Sequence, residues 1–93
     1  MTINQIHRLA IRYHDDLNAL GFSPQRHRGD LSSQGDSAVL CHAMWLCNEL
    51  AHYNPDPTSI GQEASANRSL AIIQALLWAG GLYTLDDLKR HTP

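Results

Sequence analysis

Charged residues are scarce in this chain of 93 residues, where they make up 17% of the sequence, with seven Lys and Arg against nine Asp and Glu. The formal net charge of -2 excludes a basic nucleic-acid-binding arm, and it is too small for a protein that mimics DNA by its charge. Two cysteines are too few for a disulfide-rich secreted scaffold. The apolar fraction of 43% is still sufficient for a core, which excludes a disordered polar tract.

Long apolar runs are also missing. Residues 1–10 alternate between apolar and polar side chains and lack the continuous apolar segment of a signal peptide. The most apolar stretch, residues 70–83, is about 14 residues long, whereas a membrane-spanning helix needs about 20. Cys41 and Cys47 lie about 9 Å apart along one predicted helix, too far for a disulfide bond. We therefore expect reduced cysteines, no membrane segment and a cytoplasmic location.

Apolar periodicity predicts an all-α fold, a compact bundle of three main helices plus a short C-terminal helix. The predicted helices cover residues 3–20, residues 37–52, a segment that begins after residue 58 or 59 and ends at residue 79, and residues 85–91. No alternating strand pattern longer than three residues and no internal repeat interrupts them. Because the length allows one domain, residues 1–93 are predicted to form a single helical domain.

Capping residues mark the predicted helix ends. Thr2 and Gln5 have the spacing of a capping box, and Thr84 with Asp87 has the same spacing before the fourth helix. Asp36 is the predicted N-cap of the second helix. On the first helix, residues three or four apart predict a core-facing stripe, with the charged residues opposite in solvent. The stripe comprises Ile3, Ile6, Ala10, Tyr13, Leu17 and Leu20, and the charged residues are Arg8, Arg12, Asp15 and Asp16.

The third predicted helix is apolar around nearly its whole circumference. Glu63, Asn67 and Gln74 form the thin polar stripe that interrupts it. A helix of this kind is buried by its neighbours or by another chain. Because Ile72 and Trp78 lie on different sides, either the bundle closes around this helix or one side meets another protein. The partner would be a different protein or a second copy, which makes a homodimer one of the expected states.

No pattern in the sequence identifies a reaction. His7 and His14 are about 10 Å apart on one helix, and the histidines and cysteines of the second helix project in several directions, so no metal site is predicted. No signature supports a Cys–His pair or acid–base chemistry by the carboxylates of residues 15–16 or 86–87. The glycines of residues 80–81 follow a helix, unlike those of a phosphate-binding loop. We expect no enzyme, no catalytic residue, no metal and no cofactor.

Trp45 is the strongest candidate for a binding residue. It lies opposite the apolar stripe of the second helix and shares its face with His42, Glu49 and His52. A large aromatic side chain among polar neighbours is typical of an interface anchor. The alternative is that the loop of residues 21–35 folds over Trp45 and buries it within its own chain.

The same loop carries a basic cluster, Arg26, His27 and Arg28, which joins Trp45 in the predicted partner-binding surface. These side chains also support an alternative function, a small nucleic-acid-associated regulator that binds through the loop. Direct nucleic-acid binding is disfavoured, because the fourth helix is short and begins with two aspartates, which repel phosphate.

Two segments resemble a pattern seen in small accessory proteins of tailed phages and prophages. The first contains HRL at residues 7–9, YH at 13–14 and LGFS at 20–23, and the second contains RSL at 68–70, QALLW at 74–78 and GGLYTLDDL at 80–88. The two segments cover roughly half of the chain, and the second is the more specific. The resemblance implies a non-enzymatic protein in the host cytoplasm that binds a host complex, such as a CRISPR effector, a nuclease or a restriction system. It implies inhibition or redirection of that complex by a shaped surface and supplies no catalytic residues.

Overall fold

A computed structural model describes residues 1–27, 35–52 and 61–92 of the chain. These residues form four helices and no strand: α1 (Ile3–Ala19), α2 (Asp36–Ala51), α3 (Gln62–Ala79) and α4 (Leu85–His91). α2 packs against both α1 and α3, and α1 makes a smaller contact with α3. The predicted all-α bundle of three main helices and a short C-terminal helix is confirmed. Within the same ranges, no helix combines the length and the hydropathy needed to cross a membrane.

One apolar core receives side chains from all four helices. Among the residues that the structure describes, no charged side chain is buried, and Tyr13 is the bulkiest of the fully buried ones. Removal of this apolar surface from water is the main term that favours the folded bundle. The core consists of Ile6, Leu9, Ala10, Tyr13, Leu17, Leu40, Ala43, Met44, Cys47, Leu50, Ala66, Leu70, Ile73, Leu77 and Leu88.

Both predicted capping boxes are present. The side chain of Thr2 accepts the backbone N–H of Gln5, and the Gln5 side chain accepts the backbone N–H of Thr2. Thr84 and Asp87 make the same reciprocal pair at the start of α4. Each box satisfies two N–H groups that a helix start would otherwise leave without a partner.

The start of α2 differs from the sequence prediction by one residue. Gly35, with φ of 84°, occupies the N-cap position of α2, and Asp36 is already the first helical residue. The prediction of Asp36 as the N-cap is therefore wrong by one residue. Gly61 is the N-cap of α3, and the predicted start, after residue 58 or 59, lies outside the described residues.

The end of α1 departs from the predicted core stripe. Gly21 adopts φ of 91°, and the backbone N–H of Phe22 donates to the carbonyl of Leu17 at 3.1 Å. This Schellman turn reverses the chain after Leu20. The side chain of Leu20 is 61% exposed, whereas Phe22 packs against the core. The prediction that Leu20 faces the core is therefore wrong, because the helical period ends before that residue reaches the bundle.

α3 has an open outer face. Its core side is formed by Ala66, Leu70 and Ile73, together with Leu77. On the outer side, Ile72 is 57% and Trp78 is 51% exposed. The described helices therefore do not close around α3, and the expectation that another protein or a second copy covers this face stays a prediction.

Candidate functional site

The segment after α1 folds back across the outer side of α2. The backbone N–H of Gln25 donates to the carbonyl of Cys41 at 3.1 Å, and that of His27 donates to Nδ1 of His42, also at 3.1 Å. A ring nitrogen that accepts a hydrogen bond carries no proton, so His42 is neutral and holds its proton on Nε2. Two hydrogen bonds to consecutive residues of α2 thus fix this part of the loop.

The fixed loop brings together four of the residues predicted for the partner-binding surface: Arg26, His27, His42 and Trp45, here named the Trp45 cluster. Cζ of Arg26 lies 5.1 Å from the ring centroid of Trp45, which is within cation–π range. The rings of His42 and Trp45 are nearly parallel at 12°, with centroids 6.1 Å apart. The ring of His27 meets that of His42 edge-on at 6.1 Å.

Trp45 is neither fully exposed nor fully buried; its exposure is intermediate. The loop does fold over α2, as the alternative from the sequence requires, and Arg26 covers part of the indole. The remaining indole surface is accessible to solvent. The prediction of Trp45 as a contact residue is therefore compatible with this geometry and stays untested.

The other predicted site residues make different contacts. Glu49 is exposed and lines a groove of about 270 Å³ between α2 and α3, together with Leu46 and Ile72. His52 is exposed at the end of α2, and its Nδ1 lies 2.8 Å from the carbonyl of Asn48. Arg28 lies outside the described residues.

The surroundings of His42 favour its neutral form. Burial is the largest cause that lowers the pKa of His42, and the nearby His27 and Arg26 lower it further, while a backbone hydrogen bond with Gln25 acts in the opposite direction. Arg26 therefore supplies the permanent positive charge of the cluster. The result is a fixed guanidinium beside a partly accessible indole.

A second polar cluster joins α1, α3 and α4. It was not predicted from the sequence. The buried hydroxyl of Tyr13 accepts a hydrogen bond from Nε2 of Gln74 at 3.1 Å and lies 2.8 Å from Nδ1 of His91. The ring of Tyr83 lies against both Tyr13 and His91, with centroids 5.5 Å and 4.9 Å away. We name Tyr13, Asp16, Gln74, Tyr83 and His91 the junction cluster.

Asp16 belongs to this cluster because it accepts a hydrogen bond from the hydroxyl of Tyr83. The side chain of Asp16 is 44% exposed, so it lies partly in solvent as predicted, but its hydrogen bond with Tyr83 was not predicted. Gln74, the one polar interruption in the most apolar part of α3, is the sequence signal that could have indicated a buried partner.

The pKa shifts of Tyr13, Tyr83 and His91 in the junction cluster all favour the uncharged forms. Burial is the main cause that raises the pKa of both Tyr13 and Tyr83. Burial also lowers the pKa of His91, and Arg12 lowers it further. Across residues 1–27, 35–52 and 61–92, no group of three His, Cys, Asp or Glu side chains is placed to hold a metal ion.

Comparison with known proteins finds no relative: the chain matches no family model, no curated protein and no solved structure.

Proposed function

We propose that this chain is a non-enzymatic binding protein that docks on a host protein complex and inhibits or redirects it. This is the role implied by its resemblance to small accessory proteins of tailed phages and prophages, whose targets include CRISPR effectors, nucleases and restriction systems. The observation that carries the proposal is the Trp45 cluster, in which a partly accessible indole is held beside Arg26 by a loop fixed to α2.

Trp and Arg are among the residues that contribute most to protein interfaces. A free arginine side chain loses about 2 kcal/mol of rotamer entropy when it is immobilised. In this protein the loop already positions Arg26 over Trp45, so less conformational freedom is lost when a partner binds. The cluster thus has both the residue types and the preorganisation of an interface anchor.

The side chains of the Trp45 cluster also indicate what kind of partner surface would be complementary to it. It offers one guanidinium, an indole and two imidazoles, of which His42 is neutral. The complementary surface carries an acidic side chain beside an apolar patch. Phosphate binding requires several cations. The loop of residues 21–35 contains two arginines, Arg26 and Arg28, and one aspartate, Asp30. This small net positive charge favours a protein partner over nucleic acid.

The test is affinity capture from a bacterial host lysate, with quantitative mass spectrometry of the captured proteins. Trp45→Ala and Arg26→Ala remove the two anchor side chains. Ile11→Ala is the control, because it removes an apolar side chain that is 48% exposed on α1, away from the Trp45 cluster and from the open face of α3. We expect wild type and Ile11→Ala to enrich the same host proteins, and Trp45→Ala to reduce that enrichment at least about tenfold, as expected for a hot-spot residue.

Two outcomes would contradict the proposal. The first is undiminished capture by a Trp45→Ala variant that retains the helical circular dichroism of wild type. The second is binding of DNA or RNA in a gel-shift series, with affinity that falls steeply as salt rises from about 50 to about 200 mM. That outcome would favour the nucleic-acid-associated regulator instead.

A further inference from the structure

The position of α4 depends on its contacts with the rest of the bundle. At seven residues the helix is too short to be stable by itself. Its apolar anchor is Leu88, which is 8% exposed in the core. Its polar anchor is His91, whose Nδ1 meets the hydroxyl of Tyr13 on α1. The state of these two anchors therefore decides whether α4 stays docked and helical.

The proton positions at the polar anchor follow from the partners. Nε2 of Gln74 can only donate, so the oxygen of Tyr13 accepts at that contact. Tyr13 is fully buried, and His91 supplies the acceptor for its hydroxyl proton. Nδ1 of His91 must therefore be unprotonated, with the ring proton on Nε2. With the Gln74 amide in this orientation, all three groups are satisfied only when His91 is neutral.

Protonation of His91 removes this match. An imidazolium has two N–H donors and no acceptor. The hydroxyl of Tyr13 would then face an N–H group and lose the acceptor for its own proton, in a position without access to water. Because a buried donor without a partner destabilises the arrangement that buries it, the charged ring disfavours docking of α4.

The groups around His91 do not offset this effect. Arg8 and Arg12 of α1 line the same recess as His91, as does Met1, which precedes that helix. Arg12 disfavours a second positive charge there. Asp16, also on α1, favours the imidazolium, but it is engaged by the hydroxyl of Tyr83.

The remaining neighbours of His91 come from α4, the preceding turn and α3. On α4, Asp87 favours the imidazolium and Arg90 opposes it, and the two side chains form an ion pair with each other. The turn contributes the ring of Tyr83, which lies edge-on to His91. α3 contributes Gln74, which does not titrate.

We propose that α4 is a pH-sensitive latch, docked on α1 and α3 when His91 is neutral and released when His91 is protonated. Release withdraws Leu88 from the core and opens the surface over Tyr13. This surface adjoins Trp78 and Leu85, which line a shared recess with Leu88 and are half-exposed already. Acidification within the titration range of histidine therefore enlarges the exposed apolar surface at this end of the molecule.

The test is amide hydrogen exchange of the full chain between about pH 7.5 and about pH 5, corrected for intrinsic rates, with His91 titrated by NMR. In wild type we expect protection in residues 85–91 to fall at least about tenfold at the lower pH, while α1, α2 and α3 stay protected. His91→Gln keeps an acceptor oxygen without a titrating group, so the protection of α4 in this variant should be the same at both pH values. His52→Gln, an exposed histidine on α2, is the matched control and should behave as wild type.

Tyr13→Phe provides an independent readout, because it removes the hydroxyl that favours neutral His91. We expect the pKa of His91 to be higher in this variant than in wild type, while burial and Arg12 continue to lower it. The latch is contradicted if α4 protection in wild type does not change with pH, or if His91→Gln loses protection at the same midpoint. The latch is also contradicted if the pKa of His91 is the same in Tyr13→Phe as in wild type. This readout does not depend on whether α4 docks in His91→Gln. A midpoint below about pH 4 would instead assign the transition to carboxylates.

Discussion

The two cysteines have different surroundings on the same helix. Cys47 is fully buried in the core, and burial raises its pKa to about 12. Cys41 is partly exposed. The thiolate is the reactive form of cysteine, and a buried thiol is also shielded from reagents.

We therefore expect iodoacetamide to modify Cys41 in the native protein and to reach Cys47 only after unfolding. Peptide mass spectrometry after native and denatured labelling measures this difference. In Cys41→Ser, native labelling should nearly disappear. Equal native labelling rates at the two sites would contradict the buried position of Cys47.

Tyr13 should contribute more to stability than Tyr83. Tyr13→Phe leaves Gln74 and His91 without their shared partner, and we expect the free energy of unfolding to fall by about 1–3 kcal/mol. Tyr83→Phe should have a smaller effect, because the side chain of its partner Asp16 is 44% exposed and can bind water instead. Urea unfolding of both variants measures the difference, and equal losses would argue against a specific role of the buried hydroxyl.

α2 and α3 approach each other closely at Gly80. A Cβ atom at this position would lie 2.6 Å from Cδ2 of Leu40, and Leu40 is only 6% exposed. Because the backbone of Gly80 is in the right-handed helical region, the strain in Gly80→Ala comes from packing. We expect it to reduce the free energy of unfolding by about 1–3 kcal/mol.

Gly21→Ala is the control for this prediction. Its Cβ would meet open space, so its destabilisation comes from the positive φ alone, about 1–2 kcal/mol. A double-mutant cycle separates the two cases. Leu40→Ala should be coupled to Gly80→Ala and additive with Gly21→Ala, and the absence of coupling at Gly80 would contradict the close helix approach.

The helices were predictable where their signals are local. The capping boxes at Thr2 and Thr84 depend on residues three positions apart, and both were identified from spacing alone. The prediction that Leu20 faces the core is wrong because it extends the helical period past Ala19, where α1 ends. Phe22 packs against the core in place of Leu20 because of the turn that follows α1. Helical periodicity does not describe the geometry of that turn.

In the candidate site, too, only the part that lies on a single helix was predictable from the sequence. His42 and Trp45 are three positions apart on one helix, so their shared face followed from the sequence. The position of Arg26 over Trp45 requires the loop to fold back, which the sequence left as one of two alternatives. The hydrogen bonds that Tyr13, Gln74, Tyr83, Asp16 and His91 make in the junction cluster join residues 61 to 78 positions apart. No local sequence pattern covers such distances.

The stability of the whole protein should decrease on mild acidification. Burial lowers the pKa of His42 and of His91 in the folded state. The unfolded chain, with histidine pKa values near 6.5, therefore binds protons more readily than the folded chain. Stability from these groups is fully present above about pH 6.5 and is lost as the pH falls through the folded-state pKa values.

We expect the urea midpoint to be lower at about pH 5.5 than at about pH 7.5. The double variant His42→Gln, His91→Gln should show a smaller difference between the two conditions. Below about pH 4, Asp87 adds a further loss, because hydrogen bonds with Thr84 lower its pKa in the folded state. A midpoint that is unchanged or higher at the lower pH would contradict this prediction.

The contrast between the apolar core and the junction cluster has a consequence for sequence variation. Side chains that contribute only volume, such as Ile6, Leu70 and Ile73, can be exchanged for other aliphatic residues one at a time. Tyr13, Gln74 and His91 each depend on the donor or acceptor role of the others. In chains that share this fold, the first group should therefore drift independently, whereas the three junction residues should change together as a set.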